Sequence, residues 1–157
     1  MNKPIYCWDS CIFLGWLGGN YAGPIEGVQA IVAEIEESRA ILITSAIVYA
    51  EVLQSEKTPK NAILKFEKFL RRNNVEVFDV SIPILKDAGK IRSGCLLHKP
   101  KLATPGAEDS IYASTAMKAK ATVLHTIDPK LLKLNVHEIV GGLRIEIPPV
   151  PRQASFC

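Results

Sequence analysis

Short runs of β-branched, aromatic and other apolar residues alternate along this chain with longer segments of helical periodicity. The runs fall at 5–8, 40–44, 75–78, 121–125 and 143–147. Because parallel strands must be joined by long crossovers, which are usually helical, the alternation predicts a mostly parallel sheet between two helical layers. The expected fold class is therefore α/β, a three-layer α/β/α sandwich.

The segments between these runs have the features of amphipathic helices. From Pro24 to Ser38, apolar side chains recur three or four positions apart, which places them on one helical face. Helix starts are also predicted by Ser, Thr, Asp or Pro at the proper places. These further helices begin after Asp9, at Ser45, at Thr58-Pro59, at Ile82, at Thr104-Pro105 and near Leu131.

Length and composition indicate a single domain. The chain has 157 residues, of which 48% are hydrophobic and 22% are charged, so one core of ordinary extent is expected. We expect this domain at 1–147 and a proline-containing tail at 148–157. The longest apolar stretch, at 40–50, is too short to cross a membrane, and the N-terminus lacks a signal-peptide cleavage pattern. A cytoplasmic location is the expectation.

The four cysteines, at positions 7, 11, 95 and 157, have no regular spacing. A domain of this size does not need disulfides, so reduced thiols are expected. Zinc could in principle be held by Cys7, Cys11, Cys95 and His98. However, Cys7 falls in a predicted strand and Cys11 in a predicted helix, which is not the arrangement of a zinc knuckle.

Acidic residues recur where the predicted strands end or the helices begin. Asp9 and Asp128 each follow a strand, Asp109 lies in the first turn of a helix, and Glu51 lies on the helix after the second strand. Each has an ordinary explanation as a helix cap, an ion-pair partner or a turn former. Together, however, they are expected to meet at the carboxyl edge of the sheet, where open α/β sheets place their ligands. Converging carboxylates without His or Cys favour Mg²⁺ or Mn²⁺.

Four acidic blocks, taken in order, resemble the PIN-domain nucleases, and bacterial VapC-like toxins of type II toxin-antitoxin systems look most similar. The blocks are Ile5–Ser10, Val48–Val52, Asp109–Ala116 and Leu124–Asp128, within a likeness that runs from about Ile5 to Leu134. The resemblance implies a parallel sheet of order 3-2-1-4-5. The chain departs from the family pattern at Tyr112, which is bulkier than expected, at the extra acid Glu108, and in the tail after Ile147.

The resemblance also implies a site and an activity. Asp9, Glu51, Asp109 and Asp128 would be the catalytic and metal-binding acids, and Ser10 and Thr126 would support them. Glu108 would substitute for or supplement Asp109. The activity implied is hydrolysis of RNA phosphodiester bonds by a Mg- or Mn-dependent endoribonuclease, with a small antitoxin protein as partner and a homodimer as the assembly. If a carboxylate acts as general base, the sequence does not separate Asp9 from Asp109.

An RNA substrate would need basic side chains along its path. The candidates are Lys65, Lys68, Arg72, Lys99 and Lys101. Ordinary solvated helix faces explain them equally well, because the net charge is only +3. Two other enzyme classes are disfavoured, since a phosphatase-type second Asp after Asp9 and a Walker-type motif are both missing from the sequence. A PIN-like module that binds RNA or protein without cutting remains the alternative.

Overall fold

The computed structural model of the chain describes residues 2–18, 25–53 and 58–151. Its centre is a five-stranded sheet in which every neighbouring pair is parallel, with the strand order 3-2-1-4-5. The strands are β1 (Ile5–Trp8), β2 (Ile41–Ser45), β3 (Val75–Phe78), β4 (Val123–His125) and β5 (Ile145–Glu146). The α/β fold and the strand order that the resemblance implied are confirmed.

Helices cover both faces of the sheet. They are α1 (Ser10–Trp16), α2 (Val28–Glu36), α3 (Ile47–Leu53), α4 (Lys60–Leu70), α5 (Ile82–Leu97), α6 (Ala107–Lys118) and α7 (Pro129–Leu132), and a short 3₁₀ helix spans Glu138–Val140. In the described parts of the chain, no helix is long and apolar enough to cross a bilayer.

Alternation along β1 separates the two helical layers. Trp8 packs edge-on against Phe13 of α1 and stacks on Phe69 of α4, with ring centroids 5.2 and 6.3 Å away. Cys7 points to the opposite face, where its Sγ lies 3.9 Å from the carbonyl oxygen of Tyr112 in α6. Because successive side chains of a strand face opposite sides, α1 and α4 cover one face of the sheet and α6 covers the other.

The predicted starts of α6 and α2 lie well before the observed ones. Helix α6 begins at Ala107 with Gly106 as its N-cap, so the prediction that Thr104 caps it is wrong. Ser110 donates both its backbone N–H and its hydroxyl to the carbonyl oxygen of Gly106, at 3.0 and 2.8 Å, and these bonds fix the first turn there. Helix α2 begins at Val28 rather than Pro24, which lies outside the described residues.

The segment after β4 also differs in its element boundaries. The predicted helix at Leu131 begins two residues earlier, at Pro129, because Asp128 caps it. The predicted edge strand at 143–147 is reduced to Ile145–Glu146, which pairs with Leu124 and His125. Strand β4 has only three residues, and this short length limits the number of residues of β5 that can pair with it.

Candidate active site

Asp9 lies at the centre of the acidic edge. It follows β1, has no solvent-exposed surface and caps α1 by accepting the backbone N–H of Ile12 at Oδ1, at 3.3 Å. Its other oxygen, Oδ2, accepts the hydroxyl of Thr126. Burial, reinforced by the negative charges of Asp109 and Glu51, raises the pKa of Asp9 to about 7, although both hydrogen bonds oppose the shift.

Thr126 connects two of the predicted acids. Its position follows from strand register, since Trp8 pairs with His125 and the next residues, Asp9 and Thr126, leave the sheet side by side. The Thr126 hydroxyl oxygen also accepts the backbone N–H of Asp128 at 3.0 Å. Asp128 Oδ2 in turn accepts the backbone N–H of Leu131 at 3.1 Å, which starts α7. One buried hydroxyl therefore fixes the ends of β1 and β4 relative to each other.

Asp109 enters the site from the first turn of α6. Partial burial is the main reason that its pKa is raised to about 6, and the charges of Asp128, Glu51 and Glu108 add to the shift. Lys130 opposes the shift. Glu108 is exposed, in contrast to the half-buried Asp109. Asp109 therefore lies among the acids, and Glu108 lies at their margin.

Glu51 reaches the site from α3, where its Oε2 accepts the hydroxyl of Tyr112 at 3.0 Å. Ser10, the first residue of α1, is also near that hydroxyl, because it slightly lowers the pKa of Tyr112 against the larger effects of burial and Glu51. Tyr112 was not among the predicted site residues. Its position three residues after Asp109, on the same side of a helix, is the signal in the sequence that could have identified it.

The structure brings all four predicted acids into one electrostatic neighbourhood. The thiol of Cys11 is half-buried, and burial is the main reason that its pKa is raised to about 12. All four acids lie close enough for their negative charges to add to this shift. The acids do not form a compact cage, however. Across 2–18, 25–53 and 58–151, no three Asp, Glu, His or Cys side chains are grouped closely enough to hold a metal ion between them.

The chemistry of these side chains fits a hard divalent cation. The donors are carboxylate oxygens, which suit Mg²⁺ and Mn²⁺. Mg²⁺ keeps several waters and needs only one or two protein carboxylates together with substrate phosphate, so a compact cage is not required. The raised pKa values of Asp9 and Asp109 show that negative charge is costly at this edge, and a bound cation would offset that cost.

The basic candidates do not form one surface. Lys65 and Lys68 lie on α4, over the face that Trp8 occupies, and both are exposed. The Nζ atom of Lys65 lies 4.4 Å from the ring centroid of Trp16. Lys99 and Lys101 are exposed in the loop that follows α5. Helix α5 packs against α6, and the hydroxyl of Ser114 on α6 donates to the carbonyl oxygen of Ile84 on α5 at 2.7 Å. The loop therefore follows a helix on the face of the sheet opposite to α4.

Arg72 has a structural role. Its Nη2 donates to the carbonyl oxygen of Glu36 at 2.7 Å, at the carboxyl end of α2. Its Nε is buried without a hydrogen-bond partner among the described residues. The guanidinium therefore anchors α2 to the end of α4. A contact between Arg72 and an RNA phosphate stays a prediction.

Comparison with known proteins identifies the fold. A family profile described as PIN domain matches residues 6–136. VapBC2 from Rickettsia felis, bound to a DNA fragment from its promoter, is 22% identical with a TM-score of 0.63, over 91% of this chain and 98% of that one. FitAB bound to an IR36 DNA fragment is 18% identical with a TM-score of 0.59, over 91% and 94%. DNA-bound VapBC from Salmonella typhimurium is 21% identical with a TM-score of 0.56, over 95% and 100%. No curated protein sequence matches the chain.

Proposed function

The chain belongs to the PIN-domain family, and on that premise we propose that it is a Mg²⁺- or Mn²⁺-dependent endoribonuclease, the toxin of a toxin-antitoxin pair. Members of this family are nucleases that generally use divalent metal ions. The observation that carries the proposal is the buried carboxylate of Asp9, held by Thr126 and within the fields of Asp109 and Glu51. A group of mutually repelling acids at a strand edge has little use in a protein that only binds.

Asp9, Glu51, Asp109 and Asp128 are the residues that would hold the cation. When bound, the metal ion supplies a water of lowered pKa and neutralises charge on the phosphate and the leaving oxygen. Thr126 fixes Asp9, and the Tyr112 hydroxyl holds one oxygen of Glu51. Ser10 lies beside that hydroxyl at the start of α1. Glu108, at the exposed margin, adds negative field to Asp109.

Asp109 is better suited than Asp9 to accept a proton from the attacking water. Both oxygens of Asp9 already accept hydrogen bonds, and its side chain has no access to solvent. Asp109 is half-buried, and its carboxylate accepts no hydrogen bond from any described residue. A general base must reach both water and substrate. We therefore propose Asp109, rather than Asp9, as the general base.

The partners follow from the proposed toxin role. The structural neighbours are VapBC and FitAB assemblies bound to DNA, which supports a small antitoxin protein as the partner of this chain. We further propose a homodimer in the cytoplasm. RNA would contact two separate surfaces, one with the exposed side chains of Lys65 and Lys68 and the other with those of Lys99 and Lys101. The alternative is a PIN-like module that binds RNA or protein without cutting it.

Cleavage of structured RNA by the purified protein tests this proposal. We expect cutting with Mg²⁺ or Mn²⁺, none with chelator, and none with Asp9→Asn, which keeps the side-chain size while removing the charge. Asp79→Asn is the matched control, because Asp79 is an exposed acid after β3. RNA binding that is unaffected by chelator and unaccompanied by cutting would favour the binding module. Cutting that persists in chelator would overturn the metal-dependent mechanism.

A further inference from the structure

Tyr112 and Glu51 form a hydrogen bond between two helices. The Tyr112 hydroxyl on α6 donates to Oε2 of Glu51 on α3 at 3.0 Å, although the two residues are 61 positions apart. Tyr112 is only 1% exposed. A buried hydroxyl needs a partner, and here the partner is one of the four site acids. The bond therefore links the packing of α6 directly to the position of a proposed ligand.

The position of Tyr112 on α6 gives this bond its importance. Tyr112 lies three residues after Asp109, so one face of α6 presents an acid and the donor that holds another acid. The Tyr112 hydroxyl is the donor of this bond, because a carboxylate can only accept. Among the described residues, Oε1 of Glu51 accepts no hydrogen bond.

We propose that Tyr112 is a positioning residue, which holds Oε2 of Glu51 so that Oε1 is presented to the divalent cation of the active site. This inference rests on the proposed function, since it names how a ligand of that same site is held. Without the hydroxyl, repulsion from Asp9 and Asp109 would turn Glu51 toward solvent. Donors that orient ligating carboxylates typically change metal affinity by about 10- to 100-fold.

Replacement of Tyr112 by Phe removes the hydroxyl and keeps the buried ring. Tyr6→Phe is the matched control, because the Tyr6 hydroxyl donates to Oε2 of Glu34 at 2.8 Å, on α2 and away from the four acids. We would measure Mn²⁺ affinity of the full chain from the electron paramagnetic resonance signal of the free ion. The expected result is an affinity about 10-fold weaker for Tyr112→Phe and an unchanged affinity for Tyr6→Phe.

A double-mutant cycle separates positioning from general packing. If Tyr112 acts through Glu51, then Glu51→Gln alone and Glu51→Gln with Tyr112→Phe will bind Mn²⁺ equally weakly. Additive losses would assign Tyr112 a merely structural role and overturn the inference. An affinity of Tyr112→Phe equal to or tighter than that of the wild type would also overturn it.

A measurement on the wild-type chain covers the case in which Tyr112→Phe does not fold. With ¹³C at the tyrosine ζ carbons, substoichiometric Mn²⁺ is expected to broaden the Tyr112 resonance well before that of Tyr6. Equal broadening would overturn the inference. Wild-type protein that binds Mn²⁺ and cuts RNA, with Tyr112→Phe unchanged, refutes only the role of Tyr112. Wild-type protein that binds no Mn²⁺ refutes the proposed function as well.

Discussion

The hydroxyl of Thr126 donates a hydrogen bond to Oδ2 of Asp9, which joins the ends of the neighbouring strands β1 and β4. The same oxygen accepts the backbone N–H of Asp128 at 3.0 Å. Replacing Thr126 by the isosteric Val therefore removes a donor from one buried carboxylate and an acceptor from one backbone N–H. Such unsatisfied buried groups cost about 1–3 kcal/mol each.

For Thr126→Val, we expect unfolding at lower urea concentration and RNA cutting reduced by about 10-fold, since a ligand-orienting contact is lost. Thr126→Ser retains the hydroxyl and serves as the control, with most activity and stability preserved. The measurements are urea denaturation and initial cleavage rates in Mg²⁺. Full activity in Thr126→Val would show that Asp9 does not need this contact.

Burial raises the pKa of Asp9 from 3.8 to about 7. Between these values the folded chain holds a proton that the unfolded chain releases, so the contribution of Asp9 to stability falls as the pH rises. The slope for one proton is about 1.4 kcal/mol per pH unit. We expect the stability of Asp9→Asn relative to wild type to increase from pH 4 to pH 7 in chelator. Urea denaturation at several pH values in this range measures that difference.

The comparison with Asp9→Asn is needed because His125 acts in the opposite direction. Burial lowers its pKa to about 4, with a smaller effect of Arg144, so stability from His125 rises with pH between about 4 and 6.5. Trp8 donates to His125 Nδ1 at 3.3 Å, which also favours the neutral ring. The pH dependence of wild-type stability alone would contain the contributions of both Asp9 and His125. A difference between the two proteins that does not change with pH would contradict the raised pKa of Asp9.

Lys68 tests the proposed path of RNA. It is exposed in the last turn of α4, so Lys68→Ala is expected to leave folding unchanged. If Lys68 contacts a phosphate, the substitution weakens RNA binding. It also reduces the slope of the logarithm of the binding constant against the logarithm of the salt concentration by about 1, the amount expected for one phosphate contact. Lys118→Ala is the control, because Lys118 is exposed at the other end of α6 from the acids. Binding and salt dependence unaffected by Lys68→Ala would exclude this contact.

Local patterns in the sequence sufficed to predict much of this fold. The strands could be located because buried parallel strands are short apolar runs, and Asp9 and Asp128 cap helices as their spacing after the strands suggests. The roles of the four acids stay a prediction. Their shared electrostatic neighbourhood follows from topology, since the carboxyl ends of parallel strands lie at one edge of a sheet.

Other features depend on contacts between distant segments. The bond from Tyr112 to Glu51 joins two helices whose approach no local pattern encodes. The basic residues of α4 and of the loop after α5 fall in different layers, which only the strand order reveals. Arg72 has the same charge as the adjacent Arg71, yet it donates a hydrogen bond to the carbonyl oxygen of Glu36. The sequence shows charge, and packing decides whether that charge is available.

Gly27 provides a test of how the tail after β5 packs. A Cβ atom at Gly27 would lie 2.4 Å from the carbonyl oxygen of Pro149 and 2.5 Å from that of Pro148, and Pro148 is buried. The backbone of Gly27 has a φ of −67°, which alanine also adopts, so the conflict is steric. Gly27→Ala is expected to displace the tail and to lower stability by about 1–3 kcal/mol, the usual cost of overpacking.

Gly89→Ala is the control for this substitution, because nothing lies within 4 Å of a Cβ atom there and the position is within helix α5. It is expected to stabilise the chain by about 0.5–1 kcal/mol. A thermodynamic cycle then isolates the tail. In a chain that ends at Ile147, Gly27→Ala should cost almost nothing, because the carbonyl groups that it would strike are absent. An equal cost with and without the tail, measured by thermal unfolding, would show that Gly27 is constrained by something other than Pro148 and Pro149.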